Sequence, residues 1–408
     1  MSVSEIPVST KPASTDDYSH RIPSTIGYFA AFVALGLAEA TLGPTLRGLA
    51  TNIGASLREI SFVFVARSLG YLLGAFLGGQ LYDRVSGHWV MAAMLVTVAL
   101  TMALSPVMPA LWLLIAVLLV LGIAQSTLDV GGNTLLVWVH RRQVGPYMNG
   151  LHFFFGVGAF LAPVVVAQAK SITGDITWAY WVLALFIFPV ALWMLRLPSP
   201  RWLTATDHSS DGRINYGLVT LLAVFFSLFV GAEVSFGGWI STYTVALNLA
   251  AETSADYLTS AYWGSLTVAR LLSIPLAAHF RPRSILLADL LAGLASLSLI
   301  LLWPGSITVL WLGTLGVGFA LASIFPTTIS LAERHLTVTG RVTSWFIVGG
   351  SIGSMFFPWL IGQMFEPVGP PVMIWTISAI ILAALVIFGL LMYAIQVGPS
   401  WLKGPAEP

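Results

Sequence analysis

The chain has no cysteine among its 408 residues, and charged side chains make up only 9% of it. The first absence excludes disulfides, thiolate metal sites and cysteine nucleophiles, and says nothing of compartment. The second excludes an ordinary soluble domain, where about a quarter of residues are charged. A net charge of +1 offers no basic field to a phosphate backbone, so no nucleic-acid partner is expected. The His-Glu-x-x-His pair, the Gly-x-Gly-Asp aspartyl element and the phosphate loop are also missing, and the chain is not expected to be an enzyme. No second histidine stands at ligand spacing from His152, which argues against a metal site, and nothing calls for a cofactor.

What fills the chain instead is apolar sequence, 57% hydrophobic by count. Twelve apolar segments follow one another between residues 24 and 396, each near or above the ~20 residues that a spanning helix needs. The fold expected is all-α, a polytopic membrane protein of twelve transmembrane helices. Residues 1–23, rich in Ser, Thr and Pro and without a signal-peptide pattern, are expected to be a disordered tail. The longest polar interruption spans residues 197–215, with Pro198, Pro200 and the run Thr206 to Gly212, and suits a linker between bundles at 24–196 and 216–396; residues 397–408 form a second tail.

Orientation follows from the basic residues. With the amino end inside, thirteen Lys and Arg fall in inside segments and only Arg47, Arg58 and Lys170 outside, which places both termini in the cytoplasm of a cell (inner) membrane protein. Arg67 and Arg270 remain within the membrane.

The two halves repeat one another. Gly36-Leu37-Ala38-Glu39-Ala40-Thr41-Leu42-Gly43 is answered by Gly231-Ala232-Glu233-Val234-Ser235-Phe236-Gly237, Val65-Ala66-Arg67 by Val268-Ala269-Arg270, and Gly158 to Pro163 by Gly353 to Pro358. Any one match in apolar sequence is weak; the same helix order at an offset near 194 is much stronger. A repeat of two pseudo-symmetric six-helix bundles puts a solute site on the axis near mid-bilayer. Burying a carboxylate there costs about 2.5 to 3.5 kcal/mol on insertion scales, so a duplicated glutamate needs a task or a partner.

Gln125, Asp129 and Asn133 recur every four residues and form one polar stripe on a helix. The stripe is either an interhelical hydrogen-bond seam or the lining of a cavity; we favour the lining, with Asp129 holding hydroxyls or exchanging a proton. Glu39 and Glu233 either serve packing at the flanking glycines or divide coupling and substrate binding between them. Glu39 with Arg67 is a candidate pair, structural or gating, and Arg270 is its repeat; a permanent pair would remove Glu39 from coupling and leave Asp129 alone. His152 is either a packing residue or a hydroxyl donor and proton relay. Trp239, Trp263 and Trp345, with Tyr243 and Tyr262, could offer an aromatic face to a sugar ring, although most membrane tryptophans mark interfaces. Phe325-Pro326-Thr327-Thr328, Pro163 and Pro358 are expected to interrupt helices ten, five and eleven.

Gly78-Gly79-Gln80-Leu81-Tyr82-Asp83-Arg84-Val85-Ser86-Gly87-His88 resembles the cytoplasmic loop signature of the major facilitator superfamily, with His88 where Arg or Lys is usual. Within it, Leu128 to Thr134, His152 to Ala159, and Gly231 to Tyr243 resemble the fucose permease and sodium-dependent glucose transporter group. The resemblance covers Gly27 to Tyr393. It implies a cation-coupled hexose carrier with acids on helices one and four, here Glu39 and Asp129, and Asp83 and Arg84 as gating or ion-pairing residues. Glu233 is then the better substrate ligand. The expected partners are a monosaccharide, a proton or sodium ion and the bilayer, and the carrier is expected to be a monomer. Two alternatives stay open on the same scaffold: efflux of drugs or other amphiphiles, and a nutrient receptor that does not transport.

Overall fold

The structure, a computed structural model, describes residues 21–200, 215–336 and 340–397. Residues 1–20 and 398–408 of the expected tails and the run Thr206 to Gly212 lie outside the described residues, as do Lys11, Arg201, Arg213 and Lys403; Arg21 to Pro23 and Val397, placed in the tails by sequence, are helical.

Among the described residues there are no strands, and long helices follow one another. In the amino half they are α1 Arg21–Ile53, α2 Phe62–Tyr82 preceded by a single turn at Leu57–Ile60, α3 Gly87–Leu104, α4 Leu111–His140, α5 Val144–Thr173 and α6 Thr177–Arg196. The carboxyl half has α7 Tyr216–Ala246, α8 Glu252–His279, α9 Pro282–Leu302, α10a Ile307–Leu321 continuing as α10b Ile324–His335, α11 Gly340–Val368 and α12 Val372–Val397. Among the described residues, eleven spans are long and apolar enough to cross a membrane by length and composition. The twelfth, α8, is 28 residues long, and Glu252, Asp256 and Arg270 lower its apolarity. Asp256 is hydrogen-bonded within the protein, and Glu252 is exposed with Lys170 and Arg47 at 3.9 and 4.0 Å.

Helix contacts repeat between halves. α1 packs on α5, α2 on α4 and α3 on α6, and their counterparts α7 on α11, α8 on α10a and α9 on α12 do the same. Small residues permit the closest approaches. Gly158 leaves no room for a Cβ against the Val33 carbonyl, and its repeat Gly353 leaves none against the Ser227 carbonyl. The halves meet along α2 with α11, α5 with α8, and α1 with α7.

That last crossing locates the pseudo-two-fold axis. Gly43 faces the Gly237 carbonyl with no space for a Cβ, and these two glycines are each other's repeats. Gly43→Leu is therefore expected to hold the halves apart at this level. Distances between spin labels at the ends of α1 and α8 should lengthen, and an unchanged distance would refute the close crossing.

Prolines act differently from expectation. α5 runs unbroken through Pro163 and α11 through Pro358, so neither helix is interrupted. Helix ten does break, at Ala322 and Ser323, three to four residues before Pro326. The reason is local: Pro326 has no N–H for the carbonyl four residues earlier, Ala322, and clashes with it. The Arg270 Nε donates to that freed carbonyl at 3.4 Å.

Candidate functional site

Each half holds one glutamate against one arginine. Arg67 Nη2 lies 2.6 Å from Glu39 Oε1, with Nη1 donating to the Glu39 carbonyl at 3.1 Å. Arg270 Nη2 lies 3.2 Å from Glu233 Oε1. The arginines project from α2 and α8, which flank α1 and α7, so the ion pair is part of the repeat. Tyr262 Oη donates to the Glu233 carbonyl at 3.0 Å and fixes the same turn of α7.

Asp129 has neutral partners. Tyr71 Oη donates to its Oδ2 at 2.5 Å, and Asn133 Nδ2 donates to its Oδ1 at 3.0 Å and to its backbone carbonyl at 2.9 Å. Among the described residues no Lys or Arg forms a salt bridge with it. Glu39 stands within electrostatic reach of both Asp129 and Glu233, so the three acids belong to one region around the axis. Asp129, Asn133, His152, Glu39 and Glu233 are all partly accessible.

The stripe on α4 divides. Gln125 is sealed at 0% exposure, and neither its Nε2 nor its Oε1 has a hydrogen-bond partner among the described residues. His152 packs edge-on to Phe32 at 5.9 Å and lies within electrostatic reach of Arg270.

The tryptophans separate as well. Trp263 borders a narrow void with Glu39, Arg67, Gly43 and Phe64, between the halves. Trp239 is instead wholly buried, donating to the Pro358 carbonyl at 3.0 Å and stacked on Phe365 at 5.1 Å, which corrects its assignment to the solute face in this conformation. Trp345 is 46% exposed and shares a face of α11 with the exposed Ile352 and Phe356. Asp83 and Arg84 are exposed at the end of α2 and form no ion pair among the described residues. His88 takes part in packing: Tyr28 Oη lies 2.8 Å from its Nε2, and its Nδ1 lies 3.0 Å from the Leu197 carbonyl.

A belt of polar contacts, missed by the sequence reading, joins the halves where α1 and α7 end. On one flank Arg58 Nε donates to Gln363 Oε1 and Leu57 N to Glu366 Oε1, both at 2.9 Å. On the other, Lys170 Nζ meets Asp256 Oδ2 at 2.9 Å, Gln168 Nε2 donates to Tyr257 Oη at 2.5 Å, and Arg47 approaches Glu252 at 4.0 Å. These are the three basic residues that break the inside rule. Asp256 and Asp289 were readable as acids inside spans; Asp289 accepts a hydrogen bond from Ser323 at the break in helix ten. At the opposite end Leu73, Phe76 and Leu77 on α2 and Leu271, Leu272 and Leu276 on α8 are exposed, so the interface helices part there.

No cluster of three or more His, Asp or Glu suited to a metal occurs among the described residues. Gly349-Gly350-Ser351-Ile352-Gly353 matches the letters of a serine-nucleophile elbow. It lies inside α11 with no strand before it, and Gly349 and Gly353 abut α7.

Comparison with known proteins agrees with this architecture. The sodium-dependent glucose transporter 1 of Danio rerio is 32% identical over 372 residues, covering 82% of this chain and 63% of its own; the chain thus spans less than two thirds of that relative. The sodium-dependent glucose transporter 1A of Mus musculus is 29% identical, with 82% and 88% covered. Among solved structures, a D-xylose–proton symporter superposes with a TM-score of 0.73 at 15% identity over 90% of this chain and 97% of the other. The nucleoside transporter NupG gives 0.69 at 15% over 92% and 99%. The family model described as Major Facilitator Superfamily matches residues 28–358, and the chain belongs to that superfamily of membrane transporters.

Proposed function

We propose that this chain is a secondary carrier of a neutral polyhydroxylated solute, a hexose, driven by a proton or sodium gradient. The amino end is cytoplasmic on the basic-residue asymmetry, so the belt of contacts closes the outer side and the parted helices open the inner one. The observation that carries the reading is Asp129: a membrane-embedded carboxylate held only by neutral donors and partly accessible, whereas Glu39 and Glu233 already have arginine partners.

Those pairs decide the division of labour. Glu39 is neutralised by Arg67, so coupling rests on Asp129, and Glu39 with Arg67 forms the wall beside it. Glu233, in a longer and looser pair, is the substrate ligand, with His152, Asn133 and Trp263 as the further residues assigned to the solute. Gln125, sealed at the closed end of the stripe, is left out of the solute face in this conformation on the same ground as Trp239. The names of the relatives support glucose-like solutes and sodium; a buried amide, acid and histidine set suits hydroxyl recognition better than it suits bulky amphiphiles. The chain is expected to act without catalytic chemistry.

Labelled monosaccharides offered to proteoliposomes under imposed proton or sodium gradients test this. One hexose is expected to accumulate with one gradient only. Efflux of amphiphilic dyes without hexose uptake would replace this reading, and saturable binding with no accumulation would make the chain a receptor. Glu233→Gln is expected to raise the KM for the solute about tenfold, the worth of one lost charge-assisted hydrogen bond. Uncoupled transport with an unchanged KM would reverse the roles given to Glu233 and Asp129.

A further inference from the structure

The outer belt contains a built-in cation on a buried acid. Asp256 is 0% exposed, with Lys170 Nζ 2.9 Å from its Oδ2 and the Ser241 hydroxyl donating to its Oδ1 at 2.7 Å. Lys170 sits on α5 of the amino half, and its ammonium also donates to the Pro44 carbonyl of α1 at 2.8 Å. Asp256 and Ser241 sit on α8 and α7 of the carboxyl half. The pair therefore straddles the surface that must part when the outer side opens.

Its two charges have unequal fates on parting. Lys170 lies in the last turn of α5, so a separation of the halves would carry its ammonium with the amino half toward water. Asp256 stays behind in α8. One turn deeper on the same helix face, the Thr259 hydroxyl is wholly buried with no hydrogen-bond partner among the described residues. What the departing ammonium leaves is a carboxylate and two hydroxyls, a set of hard oxygens suited to a small cation. An unpaired buried carboxylate is strongly unfavourable, so the opened state needs a replacement charge.

We propose that Asp256, with Ser241 and Thr259, is a cation site of the outward-open state, filled from outside by sodium or a proton when Lys170 leaves. This deepens the coupling reading above and rests on its alternating access. An empty site keeps the outer side shut; a filled one lets it open, because the cation binds only where Lys170 is absent. The surrounding charges are few. Glu252 on α8 lies 3.9 Å from Lys170, and Arg47 on α1 lies 4.0 Å from Glu252. Glu233 on α7 is two turns deeper and paired with Arg270, and α10a carries no ionisable side chain. Arg47 and Glu252 are exposed enough to return to water on opening, unlike Asp256.

The native lack of cysteine gives a clean background for spin labels at Thr51→Cys and Ala251→Cys, both exposed at the outer ends of the halves. Their separation in nanodiscs is to be measured without solute in two titrations: sodium at alkaline pH with choline as the balancing ion, and protons in sodium-free buffer. In the otherwise native chain one titration should populate a longer distance, and which one identifies the cation. In Asp256→Asn the longer distance should appear without either cation, with loss of the dependence. Lys170→Gln/Asp256→Asn leaves no charge alone and should behave as Asp256→Asn does, which covers a folding defect in the single variant. A native distance insensitive to both cations, or Asp256→Asn and the double variant with the native midpoint, would overturn the proposal. If such variants still accumulate hexose on a gradient, the Asp129 reading stands and only this site is lost.

Discussion

Asp129→Asn is expected to abolish accumulation of solute against a gradient while leaving exchange of labelled for unlabelled solute. Exchange needs only that the loaded site reorient, whereas accumulation needs a charge taken up on one side and released on the other. The substitution is mild in shape: Asn keeps one oxygen for the Tyr71 hydroxyl and gives up the side-chain bond from the Asn133 amide, which still donates to the backbone carbonyl of residue 129. What it loses is the ionisable carboxylate to which coupling is assigned above. Steady-state accumulation in proteoliposomes should fall to equilibrium, with counterflow retained within severalfold. Undiminished accumulation driven by pH or sodium would remove Asp129 from coupling.

Arg67→Leu carries the largest expected cost in stability. It strands the Glu39 carboxylate beside an apolar side chain and leaves the Glu39 carbonyl without its second donor. Breaking one partner of a buried pair costs about 3 to 5 kcal/mol, and the partial accessibility of Glu39 places this site toward the lower value. Glu39→Gln/Arg67→Leu should recover most of the loss, because no charge is then left alone. The corresponding Arg270→Leu change should cost less, since that pair is longer, at 3.2 Å against 2.6 Å. Thermal unfolding in detergent at fixed lipid content checks the order. Equal melting temperatures for the single and double variants would mean that Glu39 tolerates solitude, and it would again be a candidate for coupling.

The repeat was the most informative feature of the sequence because symmetry maps one-dimensional offsets onto contacts. Residues 194 apart, Gly43 and Gly237, meet on the axis, and the matched glutamates each meet the matched arginine of the next helix. Periodicity likewise put Asp129 beside Asn133, four residues on. Contacts that depend on how the halves close carry no such offset. Lys170 reads as a loop cation, Asp256 as one acid at the start of a span, and nothing in their spacing announces that they bond across the interface. The same holds for Trp239: a polar-sided helix brings it near the axis, but closure of α11 over it decides that it is sealed. Proline was legible as a perturbation and not as an outcome. Pro163 and Pro358 are absorbed within continuous helices, while Pro326 frees a carbonyl that Arg270 happens to reach.

The most direct measurement is labelling of His152→Cys, a partly accessible position within electrostatic reach of Arg270, by a membrane-impermeant thiol reagent applied to one side at a time. The absence of other cysteines makes the modification unambiguous. With the native interface, reaction is expected from the inner side and not from the outer. With Gly43→Leu added to hold the outer side apart, it should switch to the outer side. Reaction from both sides at once in either protein, or from neither in both, would contradict a single site shared by two halves and exposed alternately.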